Sequence, residues 1–228
     1  MSCSHENSSN GISYQSYVFD AYGTLFDFHS AVEEHKIIIG DKSEELSKLW
    51  REKQIQYTWL HSMMGSYSDF WTITKEALNY AMESVNINNS ILHSQLMNLY
   101  LKLKTFNEVN KTLNSLKNKD CKIAILSNGT HRMLNEVIKN SSLGDLIDLS
   151  MSIDDIEIYK PNPLVYQMAT DKLKINKSNI CFVSANNWDV AGAKSFGFHS
   201  VWVNRNSLIS EKLPYQPDSI INSLDDLT

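Results

Sequence analysis

The chain reads as an α/β protein: a Rossmann-like parallel sheet with helices on both faces, plus an inserted all-helical cap domain. Three observations predict this. Beyond residue 105, short apolar runs alternate with helical patterns, the order that builds βαβ units. Residues 29–105 hold three or more helical patterns and no strand pattern. Reactive polar residues stand just past one strand pattern after another, where an open parallel sheet gathers its ligands. A length of 228 residues suits one α/β domain with an insertion.

The elements follow in order. Residues 1–13 are polar and read as a disordered tail. Tyr14 to Phe19 is a β-rich run ending at Asp20, and Gly23-Thr24 makes a turn. Leu46, Leu49, Trp50, Tyr57 and Leu60 recur at helical spacing, as do Phe70, Ile73, Ala77 and Tyr80 in a helix near Asp69 to Val85. A third helix is expected near Ser90 to Lys104, with Ser43, Ser68 or Asp69, and Asn89 or Ser90 as N-caps. Then come a helix over Asn107 to Lys117, an apolar strand over Cys121 to Leu126, a helix over His131 to Asn140 and a strand over Leu146 to Met151. A helix over Asn162 to Lys174 is begun by Pro161 and Pro163. A strand over Ile180 to Val183 leads to a helix over Asp189 to Phe196, closed by Gly197. Strands at Val201 to Val203 and at Ile220-Ile221 end the chain. The expected division is 14–28 with 106–228 as the core and 29–105 as the cap.

Composition removes several function classes. A net charge of −5 argues against a nucleic-acid partner. It leaves room for an anionic small substrate, since a few buried cations set the local field. Cys3, Cys121 and Cys181 have no spacing that suggests disulfides or zinc, and the last two sit in apolar runs as small hydrophobes. No apolar window approaches a membrane span and the N-terminus is no signal peptide, so a cytoplasmic enzyme without a membrane partner is expected. The histidines form no spaced ligand pair, and no metal or other cofactor is expected.

Asp20, followed by Tyr22 and Thr24, ends the first strand; Ser127 and Asn128 end the second; Lys160 follows the third; Ser184, Asn186 and Asp189 follow the fourth. One polar residue past a strand means little, but an acid, a hydroxyl, a lysine and a second acid at successive strand ends mark a candidate site. The chain has three arginines, and Arg51 shares a helix face with Ile55 and Trp59 at i+4 and i+8. That face offers a planar cation beside apolar walls, which suits a small organic anion.

With these residues in view, the chain resembles the haloacid dehalogenase (HAD) superfamily, and within it the 2-haloacid dehalogenases. The four motifs appear as FDAYGTLFD (Phe19 to Asp27), ILSNG (Ile125 to Gly129), YKPNPLVY (Tyr159 to Tyr166) and VSANNWD (Val183 to Asp189), with LWREKQIQYTWL (Leu49 to Leu60) in the insertion. The resemblance implies a HAD-like core and hydrolysis of 2-haloalkanoic acids, (S)-enantiomers among them, through an ester on Asp20. Lys160 would keep Asp20 ionised, with Thr24 and Ser184 fixing both by hydrogen bonds. Arg51 would receive the halide, aided by Asn128 and Trp188. Ser127 and the amides near Asn128 and Ala21 would hold the substrate carboxylate. Tyr22, Ile55, Phe70 and Trp188 would form the apolar pocket, with Tyr166 hydrogen-bonding among the substrate-binding residues. Asp189 and Asn186 would serve the water that opens the ester. The implied partners are a 2-haloacid, water and halide, and a homodimer.

Two other readings stand beside this one: a phosphatase of the same superfamily, and a non-catalytic binding protein on its scaffold. The phosphatases carry a second Asp two positions after the nucleophile, where this chain has Tyr22, no strong acid at neutral pH. The set Asp20, Arg51, Lys160 and Asp189 speaks against a mere binding protein.

Overall fold

The computed structural model describes residues 14–227, so the expected disordered tail and Cys3 lie outside the described residues. The chain starts with β1 (Ser16–Phe19) and the short β2 (Phe26–Asp27), then two single-turn helices, α1 (Ser30–Glu33) and α2 (Lys36–Ile39). The long α3 (Ser43–Met64), α4 (Phe70–Ser84) and α5 (Ser90–Tyr100) follow, and β3 (Lys104–Thr105) closes the insertion. The rest alternates: α6 (Val109–Lys117), β4 (Lys122–Ser127), α7 (His131–Asn140), β5 (Leu149–Ser152), α8 (Pro163–Leu173), β6 (Ile180–Ser184), α9 (Asn187–Phe196), β7 (His199–Val203) and β8 (Ser219–Ile221).

Six strands form one sheet in the order β5-β4-β1-β6-β7-β8, and every pairing is parallel. β4 and β6 are buried on both faces, which explains their continuous apolar runs. The chain steps outward from β4 to β5 through α7, and in the opposite direction from β6 to β7 through α9. Right-handed crossovers therefore put α7 and α9 on opposite faces of the sheet. The direction of winding reverses around β1, so the crevice beyond its carboxyl end is the natural ligand site. Asp20 begins there, its amide donating to Val183 O at 3.0 Å.

Several expectations change. The insertion is not free of strands: Lys104–Thr105 pairs antiparallel with Phe26–Asp27, so its two stems are tied together. A two-residue strand carries no periodicity, and its partner lies at the far end of the insertion. Accordingly α5 stops at Tyr100 rather than Lys104. Asp69 and Asn89 cap their helices, accepting from Thr72 N and Leu92 N, but Ser43 does not; a 3₁₀ turn at Gly40–Lys42 leads straight into α3. Leu146 belongs to a 3₁₀ turn, and β5 starts at Leu149. Pro161 precedes the helix in a cis peptide; Asn162 is the cap and Pro163 the first helical residue. Asp189 lies inside the first turn of α9, and Asn186 takes the cap position. Cys121 and Cys181 are buried free thiols, as expected, and no described helix is long and apolar enough to cross a membrane.

Candidate active site

The site grows from the turn after β1. Ala21 O accepts from the amides of Leu25 at 2.9 Å and Phe26 at 3.0 Å, and Gly23 N donates to Phe26 O at 2.7 Å. Gly23 has φ +90°, which a side chain would strain. Arg205 clamps the turn from β7's far end, donating to Gly23 O at 3.1 Å and Thr24 O at 3.0 Å while paired with Glu108.

Asp20 is thereby held at the base of the crevice with 6% exposure. Its Oδ1 accepts from Lys160 Nζ at 3.1 Å. Its Oδ2 accepts from Asn186 Nδ2 at 2.8 Å, Thr24 Oγ1 at 3.1 Å and, at a long 3.5 Å, Ser184 Oγ. Lys160 is 1% exposed and also donates to Asp189 Oδ2 at 2.8 Å. Burial alone would depress its pKa, but the Asp189 and Asp20 carboxylates outweigh that, so it is raised above the ordinary lysine value. Asp189 is fully buried; burial, opposed by the Lys160 ammonium and reinforced by the Asp20 charge, pushes its carboxyl up to about 6. Tyr166 OH donates to Asp189 Oδ1 at 2.8 Å and to its main-chain oxygen at 3.1 Å.

The insertion supplies the facing wall. Arg51 on α3 crosses to the core, Nη2 donating to Tyr22 O at 3.1 Å and to Asn186 Oδ1 at 3.4 Å. Asn186 therefore joins the Asp20 carboxylate to the Arg51 guanidinium with the two ends of one amide. Tyr22, Ile55 and Phe70 are buried beside it, and the Trp59 and Trp188 indoles meet edge to face with centroids 5.4 Å apart. Tyr22 OH is buried with no hydrogen-bond partner among the described residues, and burial raises its pKa well above the usual value, so it offers no acid. A cavity of about 500 Å³ opens beside Lys160, walled by Trp59, Met63, Ile158 and Tyr159.

Most residues singled out by sequence converge here, with corrections in detail. Thr24 and Ser184 bond Asp20 but not Lys160; their oxygens accept from the Ala185 and Asn186 amides instead. Asn128 braces Lys160, its Oδ1 accepting from Lys160 N at 3.1 Å. Ser127 Oγ is buried and accepts from Gly129 N at 3.0 Å. Tyr166 is not in the pocket: it lies behind Asp189, fully buried, because α8 turns its ring down onto the sheet against Phe182. Sequence reasoning missed Gln54, whose Oε1 accepts from Arg51 Nη1 at 2.7 Å, and Phe28, whose ring lies 4.7 Å under the guanidinium. A polar residue at i+3 from Arg51 was the available signal.

Among the described residues, no three His, Cys, Asp or Glu side chains gather to hold a metal ion. Asp20 and Asp189 instead share the Lys160 ammonium. The arrangement presents a buried carboxylate, a fixed cation beside it, and a second cation joined to it through the Asn186 amide.

Comparison with known proteins agrees with that chemistry. A family model described as haloacid dehalogenase-like hydrolase matches residues 14–197. The chain is 45% identical over 189 residues to (S)-2-haloacid dehalogenase 1 of Pseudomonas sp. strain CBS-3, covering 82% of this chain and 83% of that protein. A dehalogenase crystal structure superposes with a TM-score of 0.92 at 41% identity, covering 94% of this chain and 96% of the other. The L-2-haloacid dehalogenase from Xanthobacter autotrophicus, solved with chloropropionic acid covalently bound, superposes with a TM-score of 0.87 at 31% identity, covering 94% and 96%.

Proposed function

The chain belongs to the haloacid dehalogenase-like hydrolases, and from that membership we propose that it hydrolyses the carbon–halogen bond of short 2-haloalkanoic acids, taking the (S)-enantiomer. The observation that carries the reading is the buried Asp20 carboxylate, paired with Lys160 and linked through Asn186 to Arg51.

In the first step Asp20 Oδ attacks carbon 2 on the side opposite the halogen. The carbon–oxygen bond forms as the carbon–halogen bond breaks, and the halide leaves with the electron pair toward Arg51, Asn128 and Trp188. A halide is stable as an anion and needs no proton, so Tyr22 in place of an acid costs nothing here. Ser127 and neighbouring amides hold the substrate carboxylate, while Tyr22, Ile55 and Phe70 enclose the alkyl chain. In the second step water attacks the Asp20 carbonyl carbon. One water proton passes to Asp189, steadied by Lys160 and Tyr166, and then to the departing alkoxide. The 2-hydroxy acid leaves with configuration inverted once, and Asp20 returns to its carboxylate by losing a proton to solvent.

The segment 29–105 acts as the cap, over a core of 14–28 and 106–228. A homodimer formed through this insertion and a cytoplasmic location belong to the same proposal. A phosphatase would need a carboxylate at Tyr22, whose ring carries none.

Halide release from each enantiomer of 2-chloropropionate, with Asp20→Asn as control, tests the activity. A single turnover in ¹⁸O water should place label in Asp20. Label appearing in the first 2-hydroxy acid released, or equal activity of Asp20→Asn, contradicts the ester.

A further inference from the structure

Three helices of the insertion share a buried polar string that the reaction above does not use. Gln54, on α3, is 1% exposed. Its Oε1 accepts two hydrogen bonds, from Arg51 Nη1 at 2.7 Å and from Tyr100 OH of α5 at 3.0 Å. Its Nε2 donates to Thr74 Oγ1 of α4 at 2.6 Å, and the Thr74 hydroxyl donates onward to Phe70 O at 2.6 Å. The direction of the string is determined. Thr74 spends its one proton on Phe70 O, so it can only accept from the amide. A flipped amide would set NH₂ against the Arg51 guanidinium, which can only donate.

We propose that Gln54 is a positioning residue that locks the Arg51 guanidinium in its halide-receiving orientation. The inference rests on the function proposed above. Arg51 is a long side chain reaching from one element to another, and only its terminal nitrogens are tied. Gln54 takes Nη1, the Phe28 ring lies against one face, and Nη2 is left directed at Tyr22 O and Asn186 Oδ1 on the reactive side. A donor fixed before the reaction stabilises charge developing on the leaving atom without reorganising first. The small, concentrated charge of chloride gains more from such a donor than the diffuse charge of iodide. Loss of the lock should therefore act on the leaving group as well as on the overall rate.

The test is kcat/KM for 2-chloropropionate and 2-iodopropionate, which reports the steps through halide release. Gln54→Met keeps the length and removes the acceptor. It should lower the chloride value about 10- to 100-fold, the range seen when the hydrogen-bond partner orienting a metal-ligating side chain is removed, and the iodide value several-fold less. Tyr100→Phe removes the other donor on the same oxygen but leaves the Arg51 bond. It should keep the wild-type chloride-to-iodide ratio even if the melting temperature falls. If Gln54→Met fails to fold, Thr74→Val loosens the amide from its far end and should shift the ratio the same way by less. An unchanged ratio in the Gln54 and Thr74 variants, or an equal shift in Tyr100→Phe, overturns the proposal. A wild-type protein that releases no halide from either acid overturns the function instead, whatever the variants do.

Discussion

Lys160 Nζ stands 3.1 Å from Asp20 Oδ1, both buried, with 140 positions of sequence between them. The same ammonium holds Asp189, so one cation keeps two carboxylates in a site that water does not screen. Lys160→Met should lower halide release by about two to three orders of magnitude, the loss of about 3–4 kcal/mol expected when one positioned electrostatic partner is removed from a reacting site. It should also destabilise the fold by about 3–5 kcal/mol near neutral pH, because two buried charges lose their partner. Without the ammonium the buried Asp189 carboxyl titrates still further above its unfolded value, because burial then acts unopposed by Lys160. The variant's folded state then takes up protons as pH falls, and its deficit should shrink between pH 8 and pH 5. Urea denaturation at the two pH values measures this. A deficit that grows toward acid contradicts the pairing.

The acid limb of turnover should belong to Asp189. Its carboxyl is raised to about 6, first by burial, while Lys160 and the Tyr166 hydroxyl hold it down and the Asp20 charge raises it. Its unfolded value is near 3.9. The raised value means that its contribution to stability is fully present below about 4 and is lost as pH rises through about 6. Activity runs the other way: the carboxylate must be ionised to take the proton from water, so kcat should rise with pH through the same range. Asp189→Asn should lose the ester-hydrolysis step and accumulate Asp20 esterified through substrate carbon 2, detectable by mass. Tyr166→Phe removes a hydrogen bond to the ionised form and should move the limb upward without erasing it. A limb unmoved in Tyr166→Phe would assign it to another group.

Asp20, Lys160 and Asp189 were legible because each follows a strand pattern, and a parallel sheet brings strand ends together whatever their separation in sequence. Arg51 was legible as a cation on an otherwise apolar helix face. Depth was not. Periodicity puts Tyr166 on a helix after Lys160 but says nothing of the rotation that turns its ring under Asp189. Nor does it give the register between α3, α4 and α5 that brings Gln54, Thr74 and Tyr100 together. The β2–β3 ribbon escaped because two residues have no period.

Gly192 shows what that depth demands. A methyl built on it would overlap the Tyr166 hydroxyl and come within 2.6 Å of Pro161 Cβ. Both neighbours are tied to the site, one through Asp189 and one through the adjoining Lys160. Gly192→Ala should therefore cost about 1–3 kcal/mol, the usual penalty for overfilling a packed core, although Gly→Ala inside a helix is otherwise favourable. Activity at pH 6 should fall more than at pH 8, because a displaced Tyr166 no longer supports the Asp189 carboxylate. A variant as stable as wild type would show that the ring can move freely.

Trp59 should limit the length of the substrate. Its indole meets Trp188 edge to face where α3 comes over the core, and it walls the cavity of about 500 Å³ beside Lys160. Its Nε1 is buried without a hydrogen-bond partner, so removing the ring breaks no polar contact among the described residues. Trp59→Ala removes the wall between that cavity and the Trp188 ring and gives a longer alkyl chain somewhere apolar to lie. Each buried methylene contributes about 0.8 kcal/mol, so three of them contribute about 2.4 kcal/mol, or roughly 50-fold in kcat/KM. The ratio of kcat/KM for 2-chlorohexanoate over 2-chloropropionate should rise toward that ceiling. The value for 2-chloropropionate itself should fall, since the short chain loses its wall. The fold should lose less than the roughly 3–5 kcal/mol of a core tryptophan, because Trp59 is only partly buried. If both acids lose activity in equal proportion, the indole shapes the cap rather than the pocket, and chain length is set elsewhere.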